Sequence, residues 1–305
     1  MNQKFEIQAD VGQAQANAAG TVIFTLLPGY RYKNLVRQLT CPAGTDVITV
    51  NYVGDTRLKI NGNVQRVLTP TRLDEINRLN NAPSATLGTA ASTRYTMLLD
   101  ATLHQMHLKE FFHEPWGEND PTERFALDVL EGDNVQLEVD YASAAVAPIV
   151  KLFAEAEPLA MVLNDRNRGV LNRAGNRPLL VKYLRGSDVA GGATWSVTKL
   201  NKGFSQEEAI QHIRFFDPTQ TIDELSITIN KKLWFKGTKY QNYIDLRAFG
   251  MNPAVGFFDF VPQASGFPRD AMTIGPRDDV QFDFTFSAAS TAAINWIIQA
   301  YGPAI

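Results

Sequence analysis

Hydrophobic and polar residues alternate with a period of two along several short stretches of the chain. In Val280–Phe286 the apolar Val280, Phe282, Phe284 and Phe286 are interleaved with Gln281, Asp283 and Thr285, the pattern of a strand with one buried face. Similar runs lie at Thr21–Leu27, Val47–Val53, Leu225–Ile229 and Phe257–Val261. Turn pairs, Asn61-Gly62, Gly54-Asp55 and Gly132-Asp133, separate them. Helical spacing occurs once in each half. Leu73, Ile76 and Leu79 precede Asn80, and Tyr243, Leu246 and Phe249 precede Gly250. Each set makes one apolar stripe, with Asn or Gly supplying a left-handed cap. Thr69 and Pro70 suit the N-cap and first turn of the first helix. Many short strands with one short helix per half predict antiparallel sandwiches.

The pattern is written twice. Asp133–Pro158 and Asp278–Pro303 align without a gap at an offset of 145 residues, and seven of 26 positions are identical. Alanine inflates that score, so the shared alternation weighs more: Val135/Val280, Leu137/Phe282, Val139/Phe284, Tyr141/Phe286 and Ile149/Ile294 coincide. The likeness extends to Arg124–Leu127 against Arg269–Met272, and to Leu99-Asp100 against Phe258-Asp259. The two helical stripes match at an offset of 170, and Thr21–Thr25 matches Thr194–Thr198 at 173. Phe5-Glu6-Ile7 likewise parallels Val181-Lys182-Tyr183. The order is kept throughout, which predicts one β-rich unit built twice, with longer loops in the first copy.

A chain of 305 residues exceeds the size at which one core keeps growing, in accord with two domains. Eight strands would fill each half, the size of a jelly roll and more than an immunoglobulin-like sandwich needs. The expected division is an N-terminal arm at 1–19, a first roll at 20–158, a basic linker at 159–178 and a second roll at 179–305. Net charge of −3 gives no general attraction to nucleic acid or an anionic membrane. A single cysteine, Cys41, rules out a disulfide framework within the chain and a Cys-based zinc site. No apolar run reaches membrane-spanning length, and the N-terminus lacks the apolar core of a signal peptide. A soluble protein made in a reducing cytoplasm is expected.

Candidate chemistry is sparse. His104, His107 and His113 lie near Glu110, Glu114 and Glu118, residue types that ligate zinc, iron or manganese. A duplicated cupin-like metalloenzyme is therefore one alternative. The spacing opposes it, because positions three apart on a strand face opposite sides; the segment reads instead as a loop that the second half lacks. Nucleophile-elbow and phosphate-loop motifs are absent. Cys41, beside Pro42, reads as a structural thiol. Asp278-Asp279 suits a turn better than a calcium site. The expectation is no catalytic residue, no metal site and no cofactor. Trp195, Trp234 and Trp296 are expected in the core. Trp116 in an exposed loop is a candidate interface anchor, as a carbohydrate-binding or spike protein would also require. Arg166, Arg168, Arg173 and Arg177 face only Asp165 in the segment between the halves. They serve either a solvated linker or fork-like bonds to a carboxylate-rich or phosphate surface.

With two rolls in tandem, the chain resembles the double jelly-roll major capsid proteins of membrane-containing icosahedral viruses, above all the corticovirus type. The likeness rests on Gln136–Asp140 running into the alanine-rich Ala144–Pro148. It rests also on Leu225–Gly250, with its Trp-containing segment and Tyr-Ile-Asp-Leu helix ending in Gly. The Leu103–Pro121 insertion and the basic linker depart from it. The resemblance implies a homotrimer of six similar domains, a pseudo-hexagonal tile that packs with neighbouring trimers. It also implies vertex and minor capsid proteins as partners, and a location in the virion capsid after assembly in the host cytoplasm. The segment 1–19 would be either an arm towards an internal membrane or an edge strand. No sequence-specific nucleic-acid contact is implied. Trp116, Phe111, Phe112 and the linker arginines are the expected anchors between copies.

Overall fold

A computed structural model describes residues 3–42, 53–79, 96–99, 103–111, 126–143, 149–164, 169–189, 192–198, 208–217, 219, 221–262, 271–274, 278–290 and 293–304. The chain divides into two compact units. One holds Met1–Arg78, Ala82–Val181 and Pro303–Ile305, the other Leu79–Asn81 and Lys182–Gly302.

The first unit begins with strands β1 (Gln3–Ile7), β2 (Ala9–Val11), β3 (Gly20–Thr25), β4 (Tyr30–Pro42), β5 (Val53–Ile60) and β6 (Asn63–Leu68), then helix α1 (Pro70–Leu79). It continues through β7 (Thr96–Leu99), β8 (Leu103–Phe111), β9 (Leu127–Val129), β10 (Val135–Tyr141) and β11 (Ile149–Pro158), and ends with α2 (Leu159–Asn164) and β12 (Arg173–Ala174). One sheet has the order β1-β11-β4-β8-β7, with β9 also on β4, and the other runs β6-β5-β10-β3-β2. Inward residues of both sheets, including Val22, Phe24, Tyr32, Leu35, Leu58, Leu127, Leu137, Val139 and Leu152, form a single core. Each large side chain buried there contributes about 1.5–3 kcal/mol.

The second unit repeats this plan with β13 (Arg177–Val189), which belongs to it from Lys182 onward, β14 (Gly192–Thr198), β15 (Ala209–Phe216), β16 (Ile222–Ile229) and β17 (Lys232–Thr238), followed by α3 (Lys239–Ala248). Strands β18 (Phe257–Phe260), β19 (Met272–Thr273), β20 (Val280–Ser290) and β21 (Ala293–Pro303) complete it. Its sheets run β13-β21-β15-β18 and β14-β20-β16-β17, the orders of β1-β11-β4-β8 and β3-β10-β5-β6. These are two jelly rolls. The second core is more aromatic, with Phe215 edge-on to Phe284 at 4.9 Å and Trp296 buried among phenylalanines.

Register makes the duplication concrete. Thr25 stands opposite Gln136, and Thr198 opposite Gln281, so the offsets of 173 and 145 meet in one ladder. Leu127 in β9 pairs with Tyr32, and Met272 in β19 with Ile210, on corresponding strands. The helices, however, correspond at 169 residues and not 170. Thr69 accepts from the Arg72 amide and Thr238 from the Gln241 amide, so the caps set the alignment. Leu73, Ile76 and Leu79 are all buried, whereas in α3 only Leu246 is, Tyr243 is half-buried and Phe249 lies exposed just past the helix. Gly250 is left-handed at φ 78°, as its capping role requires.

Other expectations need correction. Leu99 sits in β7, which pairs with β8, whereas β18 pairs directly with β15; Leu99-Asp100 is not the counterpart of Phe258-Asp259. Gly54-Asp55 is no turn but lies inside β5, where a Cβ on Gly54 would come within 3.2 Å of the Asp140 Cβ. Trp234 is part exposed on β17, edge-on to Phe260, because its strand borders its sheet. The segment read as a loop begins with strand β8.

Candidate functional site

The histidine segment is a sheet strand. His104 stands opposite Cys41 and Leu99, and His107 opposite Gln38 and Thr96. His113, Glu114, Glu118, Phe112 and Trp116 lie outside the described residues. Among the described residues no group of three or more His, Cys, Asp and Glu could hold a metal ion. Asp278 and Asp279 serve a turn: Asn230 Nδ2 donates to Asp278 at 2.8 Å, and the Asp279 amide donates to Asn230 Oδ1 at 2.9 Å. A cavity of about 340 Å³ in the first unit is lined by Glu6, Ile7, Gln13, Phe24, Ile149 and Lys151 among others.

The arginine segment is partly docked. Leu159–Asn164 forms α2, and Arg173 grips Asp133 through both terminal nitrogens at 2.8 and 3.3 Å. The Asn172 amide donates to Asp128 Oδ2 at 2.6 Å. Asp128 in turn holds the fully buried Arg31 by two bonds of 2.6 and 2.8 Å. Fork-like pairing to carboxylates therefore describes Arg173. Arg166 and Arg168 lie outside the described residues.

The second unit solves the same problem with different partners. Arg214 on β15 makes a two-pronged pair to Asp259 on β18 at 2.5 and 2.9 Å, and His212 Nε2 lies 2.9 Å from the same carboxylate. Burial drives the His212 pKa below its ordinary value, only partly offset by Asp259. Burial also opposes the Asp259 charge, but Arg214 together with hydrogen bonds from His212 and Arg214 holds that carboxyl well below the usual range. Cross-strand ion pairs of this kind, with every charge matched, knit neighbouring strands. Nothing in the arrangement provides a nucleophile beside a base in an open cleft. Sequence reading missed these pairs because their partners are 97 and 45 residues apart. Only the strand register brings them together.

Among the described residues, the buried ion pairs Arg31–Asp128 and Arg214–Asp259 join neighbouring strands within each roll. Family comparison decides the matter: the N-terminal domain model of viral coat protein P2 matches residues 12–157, and the C-terminal domain model matches 185–302. The chain belongs to the viral coat protein P2 family. No curated protein matches it in sequence. In fold it is similar to the major capsid protein P2 of bacteriophage PM2, with a TM-score of 0.73, 13% identity, and coverage of 99% of this chain and 98% of that one. It is also similar to the PBCV-1 virus capsid, at 0.66, 10%, 99% and 93%, and to the STIV major capsid protein, at 0.64, 10%, 99% and 97%. The double jelly roll is thus that of viral major capsid proteins, and the place of this coat protein is the virion capsid.

Proposed function

We propose that this coat protein acts as a homotrimer whose six rolls give a pseudo-hexagonal tile, and that such tiles cover an icosahedral shell over an internal lipid membrane. The internal duplication carries the reading: two rolls of one strand order per chain, taken three times, supply six similar sides. A tile of six similar sides close-packs with its neighbours, while three rolls alone would leave gaps. Cohesion then comes from area, since lasting interfaces of this kind bury several thousand Å² in total. Vertex and minor capsid proteins fill the positions that a hexagonal tile cannot, and assembly takes place in the host cytoplasm. The chain acts by packing and not by catalysis, without a cofactor.

Light scattering of the purified protein tests the trimer. The expected mass is three times the 33.8 kDa chain. A monomer at micromolar concentration that never assembles would sink the proposal. Metal analysis of the same sample should find no stoichiometric transition metal; one equivalent per chain would favour the cupin-like alternative.

A further inference from the structure

The N-terminal segment crosses from one sheet of the first roll to the other. Strand β1 pairs with β11 in the first sheet and β2 with β3 in the second, so the chain changes sheets at Gln8. The residues that follow are pinned down as a strap. Gly12 is left-handed at φ 78°, and a Cβ there would run into the Thr21 carbonyl. The Tyr141 hydroxyl donates to the Gln13 carbonyl at 3.2 Å and accepts from the Gln15 amide at 3.3 Å. Gln8, Ala9, Gln13 and Ala14 of this strap line the cavity of the first unit.

The floor of the cavity is apolar. Ile7, Val22 and Phe24 belong to the buried core, and Ala14 and Val150 pack against it. The second roll fills the equivalent strands differently. Towards its core β21 presents Ile294, Trp296, Ile298 and Ala300, and the Trp296 ring lies against Gly186 of β13. Strand β11 presents Val150, Leu152, Ala154 and Ala156, with no ring among them to take up that volume. At about 340 Å³ the space is more than twice the roughly 150 Å³ of an apolar cavity that accepts benzene, and it falls in the range of small-molecule sites.

The rim carries one charge of each sign. Lys151 Nζ donates to Glu6 Oε2 at 3.3 Å, and Gln8 Nε2 donates to Glu6 Oε1 at 3.5 Å. Both bonds are long, and the side chains of Lys151 and Glu6 are 42% and 31% exposed. An ammonium has three donors and a carboxylate about four acceptor positions, so both groups keep capacity while their pair persists. Ile149 lines the same cavity and is 57% exposed.

We propose that this cavity binds a single-chain zwitterionic amphiphile, with its hydrocarbon chain on the floor of Ile7, Val22 and Phe24 and its head group at the rim. The anionic part of the head accepts from Lys151, and its ammonium donates to Glu6. A head of one sign alone would meet a like charge at the rim, whereas a zwitterion matches both. Uptake of the chain removes its own apolar surface and that of Ile149 from water. Every lining residue belongs to the first unit. The site therefore goes beyond the capsid reading and is as complete in a monomer as in a trimer.

Isothermal titration calorimetry and native mass spectrometry of the full chain with decanoyl lysophosphatidylethanolamine, kept below its micelle-forming concentration, test the site. One molecule should bind per chain. Ala14→Phe, which fills the cavity, should abolish binding; Ala14→Leu is the milder substitute if circular dichroism shows that the first variant misfolds. Lys151→Ala and Glu6→Gln should each weaken binding at least tenfold. Neither should alter the binding of decanol, which has the chain without the charged head. Absence of binding by the parent, or parental affinity in the folded cavity-filling variant, would overturn the inference. Parental affinity in both rim variants would overturn it too, because the ligand would then be held by its chain alone.

Discussion

Asn61 and Asn230 each hold left-handed backbone, at φ 51° and 52°, at the turn of a hairpin. Each also ties its hairpin to the start of the next core strand, with the side-chain oxygen 2.9 Å from the amide of Asn134 or Asp279. The following residues differ: Gly62 at φ 83° and Lys231 at φ 64°. Left-handed backbone costs a residue with a Cβ about 1 kcal/mol or more. Lys231→Gly should therefore raise the stability of the second unit by about 0.5–1 kcal/mol, and Gly62→Ala should lower that of the first by a similar amount. Urea titration of each variant reads the difference. Asn-Gly was legible as a turn, but its partner was not, because Asn-Lys carries no turn signal.

His212 gives the molecule a pH dependence. Its folded pKa is depressed, so below about pH 6.5 the unfolded chain takes up a proton that the folded chain refuses. Its stabilising contribution is present above that pH and lost as pH falls. Asp259 acts in the same sense below about pH 4. Between pH 7 and 5, His212→Gln should flatten the decline of melting temperature relative to the parent. An equal slope in both proteins would show that His212 is not the group responsible.

At the scale of elements, strands read well where apolar and polar residues alternate and poorly where they do not. Val280–Phe286 and Val135–Tyr141 showed plain alternation, and both fill their cores. Leu103–Phe111 carries mixed polar and charged residues, so its strand was not legible until pairing with β4 revealed it. The helices were found, yet their alignment was wrong by one residue, because an apolar stripe locates a face and the cap locates the helix. Glycine within a strand was equally silent. A Cβ on Gly186 would run into the Trp296 ring, so Gly186→Ala forces that ring to move. The expected cost is about 1–3 kcal/mol, seen as a lower unfolding midpoint with quenched or shifted tryptophan emission. Unchanged emission and midpoint would mean the ring has space that the packing does not show.

For the whole molecule, the duplication and the absence of catalytic motifs were the legible features, and they led to the coat-protein family. The ion pairs Arg31–Asp128 and Arg214–Asp259 were beyond reach, since neither residue of a pair lies near the other in sequence. The exposure of Trp234 was hidden for another reason. Trp234 looks like a core residue in a strand context, and only the edge position of that strand sets it outward. The arginines between the halves were half legible: Arg173 meets Asp133 as its forked chemistry allows.

The central claim is that the doubled roll exists to make a six-sided tile. Electron microscopy of the purified protein, viewed down the symmetry axis, tests it most directly. The account predicts a trimer with six lobes of two alternating kinds and a hexagonal outline. A two-fold dimer, or a three-lobed particle in which only one roll of each chain borders its neighbours, would contradict it.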